Sequence, residues 1–204
     1  YTLWHTLSLH DALPISLATQ LVFLGIAVLF TSMVSDTAAI SGLPEAFFVI
    51  GGSGKYFLVP VIIAFIIWLF SYWLLGRTIF GKRVYAVGVN PNVSFVSGVP
   101  VKKTIFTLMV ISGLYAGIAS IIITARNQVG MSSLGDKMFI TIIASVIVGG
   151  TSTSGGFGGV KETLLGVLFI TLINNTMNLL GVGWYTIMIV LGALIIISAM
   201  SSFV

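Results

Sequence analysis

Three asparagines near the C-terminus are the polar side chains best placed to contact a solute. Asn174, Asn175 and Asn178 lie in the stretch from Thr163 to Val204, which contains no charged residue. Amides are costly inside a membrane unless they are hydrogen-bonded. Asn174 and Asn178 share one face of a helix, and Asn175 points about 100° away. Two interpretations stay open: the amides line a path for a polar substrate, or they hydrogen-bond neighbouring helices of a bundle.

A glycine-rich segment, GGTSTSGGFGG over residues 149–159, is the second candidate. Its exposed backbone and hydroxyl groups could hydrogen-bond a polar substrate. The alternative is a helix end and tight turn, in which glycine allows unusual dihedral angles and close packing. Such irregular backbone is tolerated in a membrane protein only where protein or water surrounds it. The candidate residues are Gly149, Gly150, Thr151, Ser152, Gly155 and Gly156.

No nucleophile, base and orienting group can be assembled from the remaining side chains. The chain has no cysteine, so disulfides and thiolate metal sites are excluded. Glu162 beside Lys161 is typical of a charge pair at a helix end rather than of a proton relay. The sequence therefore predicts no catalytic residue, no metal site and no cofactor bound directly to this chain.

One apparent nucleotide motif does not meet the requirements of its class. Gly76, Gly81 and Lys82 have the spacing of a phosphate-binding loop, but Arg83 occupies the place of the Ser or Thr that binds Mg²⁺. The segment also follows an apolar helix instead of a strand. Any energy that this protein uses must therefore come from elsewhere.

The composition is that of a protein that crosses the membrane several times. The chain is 57% apolar and 7% charged, and its mean hydropathy is +1.15, which no soluble domain of this size could bury. The net charge of +4 does not indicate nucleic-acid binding, because five of the nine basic residues are concentrated in one loop between spans rather than along a groove interleaved with aromatic side chains.

The segment of residues 1–16 differs from the chain that follows. It contains both histidines and Asp11, lacks a sustained apolar run, and resembles a translated sequencing adapter, so we set it aside as a non-native segment. The alternative is a native cytoplasmic N-terminal tail. The remaining residues, 17–204, are expected to be the C-terminal part of one all-α transmembrane domain. Six spans of a helical bundle are predicted over residues 17–35, 57–75, 104–124, 138–150, 164–180 and 184–202. The fourth, with about twelve apolar residues, either crosses or re-enters the membrane.

The segment 76–103 determines the predicted orientation. It carries Arg77, Lys82, Arg83, Lys102 and Lys103 and no acidic residue. Because Lys and Arg in short loops resist translocation, we expect this loop and the C-terminus to be cytoplasmic.

A short helix is predicted within this loop, from Pro91 to Ser97. Asn90 supplies a capping side chain, Pro91 suits the first helical position, and Gly98 ends the helix. Exposed apolar side chains on such a helix require a protein partner. The candidate partner-binding residues are Asn90, Pro91, Asn92, Val93, Ser94, Phe95, Val96, Ser97, Gly98 and Val99.

Three blocks in this order, AVGVNPNVSFVSGVPVKK (86–103), VIVGGTSTSGGFGG (146–159) and LINNTMNLLGVGWY (172–185), resemble the permease subunit of bacterial ABC importers for ribose, xylose, galactose and similar monosaccharides. The resemblance implies a type II importer fold of roughly ten spans, of which about six are present here. It also implies a location in the bacterial plasma membrane and three partners besides the lipid bilayer: a cytoplasmic ABC ATPase, a second permease subunit, identical or not, and an extracytoplasmic sugar-binding protein.

In that family the segment corresponding to residues 90–99 is the coupling helix, which docks in a groove of the ATPase. The present sequence departs from the usual pattern after Asn90, where a charged Glu-Ala-Ala-Arg-like run is replaced by Pro91-Asn92-Val93-Ser94-Phe95. More apolar docking contacts are therefore expected. The alternatives are an ion-coupled secondary transporter, which requires a carboxylate deep in the bundle, an intramembrane enzyme, and a membrane scaffold without transport.

Overall fold

The structure, a computed structural model, describes residues 9–34, 39–152 and 155–201 and is almost entirely helical. Apolar sequence without charge favours helices because a membrane offers no water to satisfy the backbone. The helices are α1 (Leu9–Val34), α2 (Glu45–Phe48), α3 (Val59–Arg77), α4 (Ile79–Val89), α5 (Pro91–Val96), α6 (Val101–Asn127), α7 (Asp136–Val148), α8 (Val160–Leu179) and α9 (Trp184–Ser201).

Within the described residues, α3 and α6 are long and apolar enough to cross a membrane, and three shorter apolar stretches cover Ala18–Val34, Met138–Val148 and Trp184–Ser198. α7 has 13 residues, so it extends for about 20 Å, less than the ~30 Å thickness of the hydrocarbon layer. α8 has Lys161 and Glu162 in its first turn and carries the three asparagines near its end.

The last three helices pack around a small apolar core. Ala144, Ile170, Ile187 and Leu191 are fully or almost fully buried where α7, α8 and α9 meet. Gly166 permits the close approach of α7 and α8, since a Cβ there would collide with the carbonyl oxygen of Ser145 and lie 2.6 Å from the backbone nitrogen of Gly149. The α7–α9 group is therefore a tightly packed unit.

A second group is formed by α3, α4, α5 and α6. Ser71 Oγ on α3 lies 2.9 Å from Tyr115 OH on α6. α4 turns back sharply after α3, and Thr78 caps it by accepting a 3.2 Å hydrogen bond from the backbone N–H of Gly81. Gly81 is required there because a Cβ would overlap the backbone of Leu75.

The two ends of the bundle differ in charge and in the elements they carry. At one end, two-residue strands β1 (Ala39–Ile40) and β2 (Gly130–Met131) pair antiparallel and join two connectors. The other end, which we call the basic end, carries α4, α5, the start of α6 and the described residues of the glycine segment, 149–152 and 155–159. Six of the nine basic residues lie there or just inside it, the five of segment 76–103 together with Lys161.

The structure differs from the sequence-based boundaries in two places. The segment 76–103, expected to be a loop around one short helix, is mostly helical, because α4 occupies 79–89 and α6 already begins at Val101. α1 begins at Leu9, inside the segment that was set aside from the fold, rather than at Leu17. Residues 1–8, 35–38, 153–154 and 202–204 lie outside the described residues, and with them Ser35 and Ser202 at the ends of two predicted spans.

Candidate functional site

The short helix α5 is capped at both ends by local interactions. Asn90 Oδ1 accepts hydrogen bonds from the backbone N–H groups of Asn92 (3.0 Å) and Val93 (3.1 Å), which have no carbonyl partner in the first turn. At the other end Gly98 has a φ of 80°, and the N–H of Val99 donates to the carbonyl of Ser94, a helix termination that favours glycine. The helix predicted over 91–97 is thus present at Pro91–Val96.

The outer face of α5 is apolar and uncovered. Val93, Phe95 and Val96 are 61%, 72% and 87% exposed, respectively, whereas Ser94 is 5% exposed and faces the body of the protein. Many apolar side chains of the spans are also exposed, but α5 lies in the basic segment outside the predicted spans, where lipid does not account for the exposure and an apolar cluster marks an interaction surface. Lys82, Arg83, Lys102 and Lys103 are all exposed on the neighbouring helices. We call Val93, Phe95 and Val96 the apolar face of α5.

The glycine segment is packed against α4 at the basic end. A Cβ on Gly88 would lie 2.7 Å from the backbone nitrogen of Gly156, and a Cβ on Gly155 would lie 2.8 Å from the carbonyl oxygen of Gly88. Tyr85 OH donates a 2.9 Å hydrogen bond to the carbonyl of Gly158. Gly150, Gly155 and Gly156 have positive φ angles of 85°, 88° and 77°. These features support the interpretation as a tight turn and packing surface.

The other candidate residues of this segment are partly enclosed. Gly149 lies against the start of α8, where a Cβ would be 2.6 Å from the carbonyl oxygen of Glu162. Thr151 Oγ1 lies 3.2 Å from Thr163 Oγ1, and the backbone N–H of Ser152 donates to the carbonyl of Phe157. Much of the polar surface of the glycine segment is therefore used within the protein.

The three asparagines lie on the second half of α8. Asn178 Nδ2 donates a 2.7 Å hydrogen bond to the carbonyl of Asn174, so this amide is satisfied by its own helix. Asn174 is half-buried, while Asn175 and Asn178 are exposed. One of the two sequence-based interpretations was that these amides hydrogen-bond neighbouring helices. The structure shows no hydrogen bond from these side chains to another described helix.

A cavity of about 550 Å³ lies between α3, α6, α8 and the glycine segment. Its polar groups are paired with one another: besides Ser71 and Tyr115, the indole N–H of Trp68 donates to the carbonyl of Val160 at 3.2 Å. The remaining wall is formed mainly by aliphatic and aromatic side chains. This cavity therefore offers few free hydrogen-bonding groups to a sugar.

Sequence reasoning overlooked the residues that join the two helix groups. Lys161 Nζ lies 5.0 Å from the centre of the Tyr72 ring, and Trp68 stacks on Tyr72, so the start of α8 is held against α3. Trp68 and Tyr72 can be read from the sequence, but nothing in the spacing of aromatic residues identifies their partners, which lie about ninety residues away at the start of α8. Among the described residues no group of three or more His, Asp or Glu lies close enough together to bind a metal.

Comparison with known proteins identifies a family. The model of the family described as "Branched-chain amino acid transport system / permease component" matches residues 6–199. The ribose import permease RbsC of Bacillus subtilis (strain 168) is 36% identical over 192 residues, 91% of this chain and 57% of that protein. The D-allose permease AlsC of Escherichia coli (strain K12) is 37% identical over 183 residues, 89% of this chain and 55% of that protein.

The L-arabinose permease AraH of the same strain is 32% identical over 189 residues, 91% of this chain and 56% of that protein. The chain thus spans about half the length of the curated relatives it matches. No solved structure gives a significant match. Because the family model covers nearly the whole chain, this polytopic α-helical membrane protein belongs to the permease family of transport systems.

Proposed function

We propose that the chain is part of the membrane-spanning subunit of an ATP-driven importer that carries a monosaccharide across the bacterial inner membrane. The observation that carries this proposal is the exposed apolar face of α5, which projects from the basic end without a covering element among the described residues. Ribose, allose and arabinose appear in the names of its relatives, which supports a sugar as substrate.

In this proposal, ATP is bound and hydrolysed by a separate cytoplasmic ATPase that binds α5. Two permease subunits form the path, and an extracytoplasmic binding protein delivers the sugar. The permease contributes contacts that differ between two states of the ATPase, because ATP can bias a conformation only through such a difference. The excess of Lys and Arg at the basic end supports a cytoplasmic position for that end.

The sugar path is proposed to run along the amide-bearing half of α8. Asn175 is exposed, and neither it nor Asn174 has a side-chain hydrogen bond to another described residue. An unpaired amide facing lipid costs several kcal/mol, so these side chains require water, substrate or a polar partner beside them. The glycine segment is better supported as a packing element than as part of this path.

Two other functions make different demands on the sequence. An ion-coupled transporter requires a carboxylate deep in the bundle, but among the described residues Glu45, Asp136 and Glu162 lie in the first turns of their helices and are exposed. A scaffold subunit requires the apolar face of α5 but no solute path. Transport measurements separate the three functions.

The deciding experiment uses proteoliposomes that contain the permease, a co-expressed ATPase and the binding protein. We expect uptake of radiolabelled ribose, allose or arabinose when ATP is enclosed in the lumen, and no uptake with a non-hydrolysable analogue. Uptake driven by an ion gradient without ATP would establish a secondary transporter. ATPase association without any uptake of these sugars would support a scaffold.

A further inference from the structure

We infer that α4 and the glycine segment form a mechanical link, through which movement of α5 reaches the α7–α9 group. Tyr85 and Gly88 are the positioning residues of this link. The inference rests on the proposed function, because it assumes that an ATPase moves α5. It goes further by naming where the movement passes from one helix group to the other.

The first step is the rigid connection between α5 and α4. Asn90 ends α4, where its N–H donates to the carbonyl of Ala86 at 3.2 Å, and it also caps α5 through its side chain. A single residue thus belongs to both helices, with no flexible linker between them. A displacement of α5 must therefore displace the end of α4.

The second step is the contact between α4 and the glycine segment, which is made by backbone against backbone. Gly88 faces Gly155 and Gly156, and a Cβ on Gly156 would lie 3.0 Å from the Cα of Val89. Tyr85 adds its hydrogen bond to the carbonyl of Gly158. At Gly88 the two backbones meet without an intervening side chain, so there is little at this point that can deform when α4 moves.

The third step leads from the glycine segment into α8. Gly159 precedes the first residue of α8, and its carbonyl accepts hydrogen bonds from the backbone N–H and the hydroxyl of Thr163. Gly149, at the other end of the segment, packs on the same turn of α8. Since α8 packs closely on α7 at Gly166, and α7 is joined to α9 through the shared apolar core and the hydrogen bond from Ser198 Oγ to the carbonyl of Ile147, a displacement of this segment is passed to the group through α7.

The remaining routes from α5 to the α7–α9 group are longer than this link. The covalent connection through Val99 and Pro100 leads from α5 to α6, and α6 reaches α7 only through the connector 128–135 at the opposite end of the bundle. Trp68 and Tyr72 of α3 also contact the start of α8, but movement of α5 reaches them only after passing along α4 and through Thr78 into α3, which is a longer route. At the basic end, the described contact from α4 to the α7–α9 group is the one at Tyr85 and Gly88.

The test replaces Gly88 by alanine and, separately, Tyr85 by phenylalanine in the reconstituted permease–ATPase complex. Alanine favours a helix over glycine, so Gly88→Ala does not weaken α4 itself, but its Cβ forces the two backbones apart. We expect ATPase co-purification within about twofold of the wild type, retained ATP hydrolysis, and at least about a tenfold fall in sugar transported per ATP for Gly88→Ala, with a smaller fall for Tyr85→Phe.

Gly76→Ala is the matched control, because a Cβ there meets nothing within 4 Å, and it should keep the wild-type ratio. An unchanged ratio of sugar to ATP in both Gly88→Ala and Tyr85→Phe would overturn the inference, as would a loss of ATPase binding, since the residues would then serve docking. If the wild-type permease bound no ATPase, the proposed function itself would fail, which is a separate result.

Discussion

Replacing Phe95 by aspartate should weaken the association with the partner ATPase by about thirtyfold or more, the effect of losing one interface hot spot of ~2 kcal/mol. Phe95 is an aromatic side chain at the centre of the apolar face of α5 and is 72% exposed. A carboxylate in its place would have to be desolvated in an apolar groove. Co-purification of the ATPase with the variant, or a titration in detergent, measures the loss.

Ser133→Asp is the control for added charge, because Ser133 is exposed in the connector at the opposite end. It should leave the affinity unchanged. Both variants should insert into the membrane to the same extent as the wild type, since neither position lies in a predicted span. Wild-type affinity of Phe95→Asp for the ATPase would contradict the docking role of α5.

Replacing Gly166 by valine should give the largest loss of stability. A Cβ at this position overlaps the Ser145 carbonyl and the backbone of Gly149, so α7 and α8 must separate and open the core around Ile170. Overpacking of this kind costs about 1–3 kcal/mol, which corresponds to a fall in Tm of roughly 5 °C for a chain of this size. The thermal midpoint of the purified protein in detergent tests this value.

Gly192→Val on α9 serves as the control, because a Cβ on Gly192 meets nothing within 4 Å in this chain. Its midpoint should stay within about 1 °C of the wild-type value or rise slightly, because valine has a somewhat higher helix propensity than glycine. If the two variants melted at the same temperature, the close α7–α8 contact would not be the packing that holds this group together.

The sequence predicts local features well, because they depend on neighbouring residues. The Asn90-Pro91 start and the Gly98 end specify α5 almost to the residue, and the apolar positions 93, 95 and 96 are exposed as expected. The helices α3, α6, α7, α8 and α9 each lie within about four residues of a predicted span, whereas α1 begins eight residues before the predicted start and α2 and α4 are not predicted. These assignments require no knowledge of the rest of the fold.

Contacts between distant segments could not be predicted in this way. The five basic residues of segment 76–103 predict a polar loop between two spans, so neither α4 nor its contact with the glycine segment is predicted. Tyr85 and Gly158 are 73 positions apart, and no spacing rule connects them. For the same reason the sequence could not decide between the two interpretations of the asparagines or of the glycines.

The most direct test of the account is the accessibility of α5 in the intact membrane. The chain contains no cysteine, so Val96→Cys, at the most exposed position of the apolar face, can be labelled with a membrane-impermeant maleimide. We predict labelling in inside-out vesicles, none in intact cells, and protection when the ATPase is co-expressed. Labelling from outside the cell, or equal labelling with and without the ATPase, would contradict the account.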